Sequence, residues 1–181
     1  MDVITKHLEV FDDGKFAYIV TKNAEYHSAS CLQQIIERKQ FRNRKSITVE
    51  DSSIFREEKT VRPLIHMLLL GLAELEKNGL SHKNINPSKI LIFPDEKKGD
   101  IAKIIDFPSV CVLKEHKSPS FLSKFGCQTP FTAPEILEEV NMNNDQVDYN
   151  IFGASGDVWA LGAIFYYLLC GEHPFKGTTE P

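Results

Sequence analysis

The chain begins with two short, largely apolar runs, at residues 7–11 and 16–21, which are separated by Asp12-Asp13-Gly14-Lys15. Asp-Gly between apolar runs is typical of the tight turn of a hairpin, so the chain is predicted to begin with two antiparallel strands. Apolar residues at helical spacing over 31–41 predict a first helix. The charged segment 42–59 has no clean period and is interpreted as a surface loop.

A stronger helical pattern covers residues 60–77. Its apolar residues recur three and four positions apart, as on the buried face of a helix. They are Val61, Leu64, Ile65, Leu68, Leu69, Leu72 and Leu75. Gly79 is predicted to end this helix in a left-handed conformation. Further along, β-branched runs at 90–93 and 101–105 predict a second hairpin.

The last apolar run, at residues 158–170, carries no charge. Its length of about 13 residues is too short to span a bilayer, which needs roughly 20. The run is therefore predicted to be a helix that starts near Ser155 and is buried on all sides.

Composition and charge exclude several function classes. The chain has 181 residues and a net charge of −4, so neither nucleic acid nor a membrane is expected as a partner. Four cysteines lie far apart and six histidines are scattered, so neither a disulfide framework nor a metal cluster is predicted. The chain starts without an apolar signal segment, and a cytoplasmic location is expected.

Four motifs follow one another from residue 82 onward. The first is His82-Lys83-Asn84 with Lys89 further on, and the second is Asp106-Phe107-Pro108. The third is Ala133-Pro134-Glu135, and the fourth begins at Asp157-Val158-Trp159. In this order they resemble the C-lobe of a eukaryotic protein kinase, whose pattern is His-Arg-Asp with a following Asn, then Asp-Phe-Gly and Ala-Pro-Glu.

The resemblance implies an α+β, protein-kinase-like fold, mainly the α-helical C-lobe with a remnant of the N-lobe β-sheet. One partial domain is expected over residues 1–181. Residues 1–24 are expected to be the N-lobe remnant and hinge, and residues 25–181 a C-lobe without its last helices. The Gly-rich loop and the strand with the phosphate-pairing Lys have no counterpart, so the domain is interpreted as truncated.

Departures from the kinase pattern bear directly on the chemistry. Asn84 stands where the resemblance places the catalytic Asp, and loss of a positioned base costs roughly 10²–10⁴ in rate. Lys89 replaces the metal-binding Asn and brings a positive charge where a cation should sit. Pro108 replaces the Gly after Phe107 and fixes φ there. We therefore expect phosphoryl transfer to be weak or absent.

The resemblance assigns roles to further residues. His82 and Lys83 belong to the catalytic loop, with His82 packed beneath it. Nucleotide binding falls to Lys22, Ala24, Lys89 and Asp106, with Asp106 as the ligand of a Mg²⁺ ion. ATP and Mg²⁺ are thus the implied cofactors, although the substitutions oppose both. The activation segment comprises Phe107, Pro108, Ser118, Ser120, Ser123, Thr129, Ala133, Pro134 and Glu135, and structural roles fall to Asp157 and Trp159.

Two alternatives stay open at these positions. The Lys89 ammonium either replaces the second metal ion at the nucleotide phosphates or is an ordinary surface lysine. The serine-rich segment 118–123 is either a site of regulatory phosphorylation or simply a loop.

A narrower resemblance rests on Tyr18-Ile19-Val20 and on three further stretches, at residues 31–37, 99–107 and 163–175. These stretches are similar to the inositol-requiring kinase/endoribonuclease family of unfolded-protein-response sensors, which includes the oligoadenylate-dependent ribonuclease. It implies a protein partner, either a kinase-like dimer or a related kinase or ribonuclease. Three hypotheses follow: a pseudokinase-like domain that binds or regulates, a fragment of an ATP-dependent Ser/Thr kinase/endoribonuclease, and a non-functional truncated product.

Overall fold

The computed structural model describes residues 7–12, 14, 17–21, 30–45, 58–93, 99–106, 111–112, 130–141 and 154–175. Within these ranges the strands are β1 (His7–Asp12), β2 (Ala17–Thr21), β3 (Ser30–Cys31), β4 (Leu80–Ser81), β5 (Ile90–Phe93), β6 (Ile101–Ile104) and β7 (Cys111–Val112). The α-helices are α1 (Leu32–Lys45), α2 (Glu58–Lys77), α3 (Pro134–Asn141) and α4 (Ala154–Cys170), and a 3₁₀ helix covers Pro87–Lys89.

The described strands form three small antiparallel sheets. β1 pairs with β2, β4 pairs with β7, and β5 lies between β3 and β6. The two predicted hairpins are therefore confirmed, as β1–β2 and β5–β6. The α+β fold class is confirmed as well, with more helix than strand in the described part of the chain.

Helix α2 is the centre of the core. Val61, Leu68 and Leu72 lie on its buried face and are at most 4% exposed. The helix packs against α4 and against β6. The helix ends at Lys77, and Gly79 just beyond it has the predicted left-handed conformation, with a φ of +70°.

Helix α4 differs from its prediction. Leu161, Ile164 and Leu168 are at most 2% exposed and face the core. Val158 and Tyr166, however, are 48% and 42% exposed, so the expectation of a helix buried on all sides was wrong. An uncharged sequence does not reveal which face of the helix meets the core, because every face is equally apolar.

Leu69 of α2 is a second correction. It was predicted on the buried face, but it is 41% exposed. Successive helical residues lie about 100° apart, so a neighbour of Leu68 already turns away from the centre of the buried stripe.

No helix in the described ranges is both long enough and apolar enough to cross a lipid bilayer.

Candidate functional site

The segment from Leu80 to Lys89 is tied to helix α4 by one buried carboxylate. Asp157, in the first turn of α4, is 3% exposed. Its Oδ2 accepts hydrogen bonds from the Ser81 hydroxyl at 2.9 Å and from the His82 N–H at 2.7 Å. Its Oδ1 accepts a third from the Lys83 N–H at 2.8 Å. Asp157 thereby provides the acceptor for three donors at the start of this segment, two of them buried. Because buried donors need a partner, Asp157 holds the start of the segment in place.

His82 lies beneath the same segment and is fully buried. Its Nδ1 lies 3.3 Å from the backbone N–H of Asn84, which can only donate, so Nδ1 accepts. The proton of the neutral ring is then on Nε2, which donates to the Ile105 carbonyl at 3.2 Å. Burial lowers the pKa of His82, although its hydrogen bond to Ile105 and the nearby Asp157 act in the opposite direction. His82 therefore links two motifs as an uncharged structural group.

Asn84, at the catalytic-base position, is held by a second asparagine. The Asn86 side-chain amide donates to Asn84 Oδ1 at 3.0 Å and to the Asn84 carbonyl at 3.2 Å. Asn86 Oδ1 accepts from the N–H of Ser88 at 3.0 Å and so caps the 3₁₀ helix. The one acceptor of the Asn84 side chain is thus already hydrogen-bonded within the loop.

Sequence analysis missed Asn86. Asn is a preferred N-cap, and Pro87 follows at the first helical position, where proline is favoured. That Asn-Pro pair was a readable signal for a helix start. The contact with Asn84 was not readable, because it depends on the conformation of the loop.

Lys89 and Asp106 form an ion pair. Their backbones are fixed next to each other, because β5 pairs with β6 and the Ile105 N–H donates to the Lys89 carbonyl at 2.9 Å. The Lys89 side chain is 21% exposed and that of Asp106 is 46% exposed, so the pair lies at the surface edge of this hairpin.

Two residues of this site have unusual backbone conformations. Lys83 and Asp106 have φ values of +64° and +63°, and they are the non-glycine residues with positive φ in the described ranges. Such conformations cost of order 1–3 kcal/mol and cluster at functional sites. The first two of the four kinase-like motifs, those that contain Lys83 and Asp106, therefore carry local strain.

The residues present do not fit a magnesium ion at Asp106. Mg²⁺ requires near-octahedral oxygen ligands. Asp106 offers a carboxylate, but the ammonium of Lys89 is bound to it, and the oxygen of Asn84 accepts from Asn86. In the described ranges, no three His, Cys, Asp or Glu side chains are grouped as a metal site.

The third motif begins helix α3. Ala133 is fully buried, Pro134 is the first residue of α3, and Glu135 lies in the first turn. Gly156 of α4 faces α3, since a Cβ there would come within 2.9 Å of Ile136 Cδ1. A side chain at position 156 would therefore require the end of the Ile136 side chain to move.

Trp159 lies on the surface of α4. Its ring is stacked on that of Phe175 with 5.2 Å between the centroids, and the two residues are 36% and 55% exposed. Several other predicted site residues lie outside the described ranges: Lys22, Ala24, Phe107, Pro108, Ser118, Ser120, Ser123 and Thr129.

Comparison with known proteins places this site in a family. The model of the protein kinase domain matches residues 1–181, so the chain belongs to the protein kinase family. Over 133 residues it is 38% identical to a titin homolog of Caenorhabditis elegans, covering 73% of this chain and 1% of that protein. Over 124 residues it is 32% identical to the serine/threonine-protein kinase cds1 of Schizosaccharomyces pombe, covering 68% of this chain and 25% of that protein.

A calcium-dependent protein kinase 4 of Plasmodium falciparum is 28% identical over 178 residues, which is 98% of this chain and 28% of that protein. The chain thus spans about a quarter of the two kinases' length. Among solved structures, the Rad53 kinase domain matches 98% of this chain and 51% of its own, with a TM-score of 0.64 and 20% identity. That match shows the protein-kinase-like fold.

These relatives bear on the narrower resemblance. They are named as serine/threonine or calcium-dependent kinases and a titin homolog, so they lend no support to the kinase/endoribonuclease group. Members of the protein kinase family use ATP and Mg²⁺. The misfit of Mg²⁺ at Asp106 is therefore a departure from the family and not only from an expected motif.

Proposed function

We propose that this chain is a pseudokinase-like module that does not transfer a phosphoryl group and acts by binding or regulating a protein partner. The observation that carries the proposal is Asn84. Phosphoryl transfer in kinases is assisted by an Asp that accepts the proton of the substrate hydroxyl. The Asn84 amide cannot accept that proton, and its oxygen is already hydrogen-bonded to Asn86.

The groups beneath the loop favour a folded module over a non-functional product. Asp157 keeps three hydrogen bonds to the segment that contains Asn84. His82 keeps its contacts with both Asn84 and Ile105. A cooperative thermal melt of the purified chain is expected on this basis, whereas broad, non-cooperative melting would favour the truncated product.

Phosphoryl transfer is tested directly with radiolabelled ATP, Mg²⁺ or Mn²⁺, and a generic Ser/Thr substrate. The chain is expected to incorporate no more label than its Asp106→Ala variant. The Asn84→Asp variant is assayed in parallel, because it restores a carboxylate with the same shape. Transfer by the unaltered chain that is abolished by Asp106→Ala would overturn the proposal.

A kinase-like dimer partner, or a related kinase or ribonuclease in a cytoplasmic stress-response pathway, is the finer form of this proposal. It is supported by the stretches that resemble the kinase/endoribonuclease sensors, at residues 18–20, 31–37, 99–107 and 163–175. Sedimentation equilibrium of the purified chain, alone and with a candidate kinase, tests it. A monomer that does not shift the partner's mass at micromolar concentration contradicts it.

A second candidate is a piece of an ATP-dependent Ser/Thr protein kinase. The observation that favours it is length, since the chain covers 25% of cds1 and 28% of calcium-dependent protein kinase 4. An antibody raised against α2 would then detect an endogenous protein well above 20.6 kDa. A band at the mass of this chain alone would exclude this candidate.

A further inference from the structure

The ion pair between Lys89 and Asp106 lies where the family holds a divalent cation. In protein kinases the Asp of Asp-Phe-Gly and the Asn of the catalytic loop hold the magnesium ions. This chain keeps the Asp as Asp106 but has Lys89 at the Asn position, and the two side chains are bound to each other.

The position of the Lys89 ammonium is set by the fold. Asn86 caps the 3₁₀ helix that contains Lys89, and the Lys89 N–H donates to the Asn86 carbonyl at 2.9 Å. The carbonyl of Lys89 accepts from Ile105, the residue before Asp106. Because the backbones of both residues are fixed at neighbouring points of one hairpin, only the two side chains remain to be ordered when they meet.

Charge then decides which cation occupies Asp106. The pair has no net charge, so a divalent ion approaching Asp106 is not attracted by it and is repelled by the nearby ammonium. To bind, the ion must displace the Lys89 ammonium, which is covalently part of the chain, and in exchange it gains only the Asp106 carboxylate as a ligand. A hydrated Mg²⁺ ion does not lose its water readily for so few oxygen ligands.

We propose that the Lys89 ammonium permanently takes the place of the divalent cation at Asp106, so that this site excludes Mg²⁺ and Mn²⁺. The positive charge that a bound metal ion supplies in the family is supplied here by a side chain of the polypeptide. This inference deepens the proposed function, on which it rests, by stating which component of the catalytic apparatus the chain has replaced.

Binding of Mn²⁺ to the full 181-residue chain tests the proposal, with free Mn²⁺ measured by electron paramagnetic resonance. Lys89→Asn removes the ammonium and restores the family's amide ligand. It is expected to bind Mn²⁺ at least about tenfold more tightly than the unaltered chain, because a positive charge close to the ion is removed. The gain should be lost in the double variant Lys89→Asn/Asp106→Ala.

Lys77→Asn is the matched control. Lys77 also lies beside a carboxylate, with its Nζ 3.9 Å from Glu74 Oε2 at the end of α2. The variant changes the net charge by the same amount as Lys89→Asn, so a general attraction of cations would appear in both. Lys89→Arg keeps the positive charge and should continue to exclude Mn²⁺. If Lys89→Asn does not fold, Lys89→Gln provides the same comparison.

Two results would overturn the proposal. One is tight Mn²⁺ binding by the unaltered chain that Asp106→Ala abolishes, and the other is no gain in folded Lys89→Asn over Lys77→Asn. Neither depends on phosphoryl transfer. A chain that binds Mn²⁺ at Asp106 without transferring phosphate refutes this inference alone, and a chain that transfers phosphate in the presence of EDTA refutes only the proposed function.

Discussion

The two sides of the segment from Leu80 to Lys89 differ in burial and in the groups that they carry. Beneath it lie Ser81, His82 and Asp157, all at most 3% exposed and joined by hydrogen bonds. On its outer side lie Lys89 and Asp106, which are partly exposed. The buried side is held together by hydrogen bonds, whereas the outer side has Asn84 where the kinase pattern has an Asp and Lys89 where that pattern has an Asn.

This contrast shows that the shape of the loop does not depend on the groups that perform chemistry. A buried polar group without a partner costs about 1–3 kcal/mol, so replacing any member of the buried set would expose the others to that cost. Partly exposed side chains can exchange a lost partner for water. The outer side can therefore change while the fold of the segment is retained.

The largest expected effect is on the buried side. Asp157→Ala removes the acceptor of three hydrogen bonds, two of which come from the N–H groups of His82 and Lys83. Hydrogen bonds to charged groups are worth about 1.5–3 kcal/mol and add incompletely, so a loss of about 3–5 kcal/mol is expected. Urea denaturation measures it. The exposed Asp100→Ala should change stability by less than about 0.5 kcal/mol, and an equal loss in both variants would remove the contrast.

Acid is the second way to stress the buried side. Burial lowers the pKa of His82 in the folded chain below its ordinary value of 6.5, so the unfolded chain binds the proton more tightly. The contribution of His82 to stability is therefore complete above about pH 6.5 and is lost as the pH falls from there through the folded-state pKa. Protonation of His82 also puts a proton on Nδ1, which then faces the backbone N–H of Asn84 and can no longer accept its hydrogen bond.

Unfolding free energies at about pH 7.5 and about pH 5.5 check this expectation, since histidine titrates between them. The decrease on acidification should be smaller in His82→Gln than in the unaltered chain. His66→Gln, at an exposed position of α2, is the control. Burial also lowers the pKa of His173, whose ring is stacked on Tyr167 at 4.2 Å, so part of the decrease should persist in His82→Gln.

Removal of the Lys89 charge should have a small effect on stability. Lys89→Met keeps most of the side-chain length but breaks the ion pair with Asp106. Because both groups are partly exposed, the loss should be at most about 1 kcal/mol. Urea denaturation at low and high salt measures it, and the difference between Lys89→Met and the unaltered chain should shrink in high salt. A loss as large as that of Asp157→Ala would mean that the outer side also supports the fold.

The smallest effect is expected for Asn84→Asp. The carboxylate keeps an acceptor for the Asn86 amide at nearly the same place, so stability should change by less than about 0.5 kcal/mol. The melting temperatures of Asn84→Asp and the unaltered chain test this expectation. Marked destabilisation by Asn84→Asp alone would show that the loop requires the amide.

Sequence patterns gave most of the regular structure. Helix α2 and the β5–β6 hairpin were predictable because their signals are local, namely apolar spacing in one and a polar break between β-branched runs in the other. Local signals failed for α4, because an apolar residue in a uniformly apolar helix carries no mark of which side faces the core. Val158 and Tyr166 were misassigned for that reason.

The candidate site likewise has features that the sequence determines and features that only the tertiary structure determines. The sequence by itself determined that an Asn stands at position 84 and a Lys at position 89, where the kinase pattern has Asp and Asn, because motif order and side-chain chemistry are properties of the chain. Only the tertiary structure decided that Lys89 binds Asp106 and that Asn86 donates to the side-chain oxygen of Asn84. The reason is physical: which side chains meet depends on strand pairing, helix packing and backbone angles, and the distance between residues along the chain does not encode these.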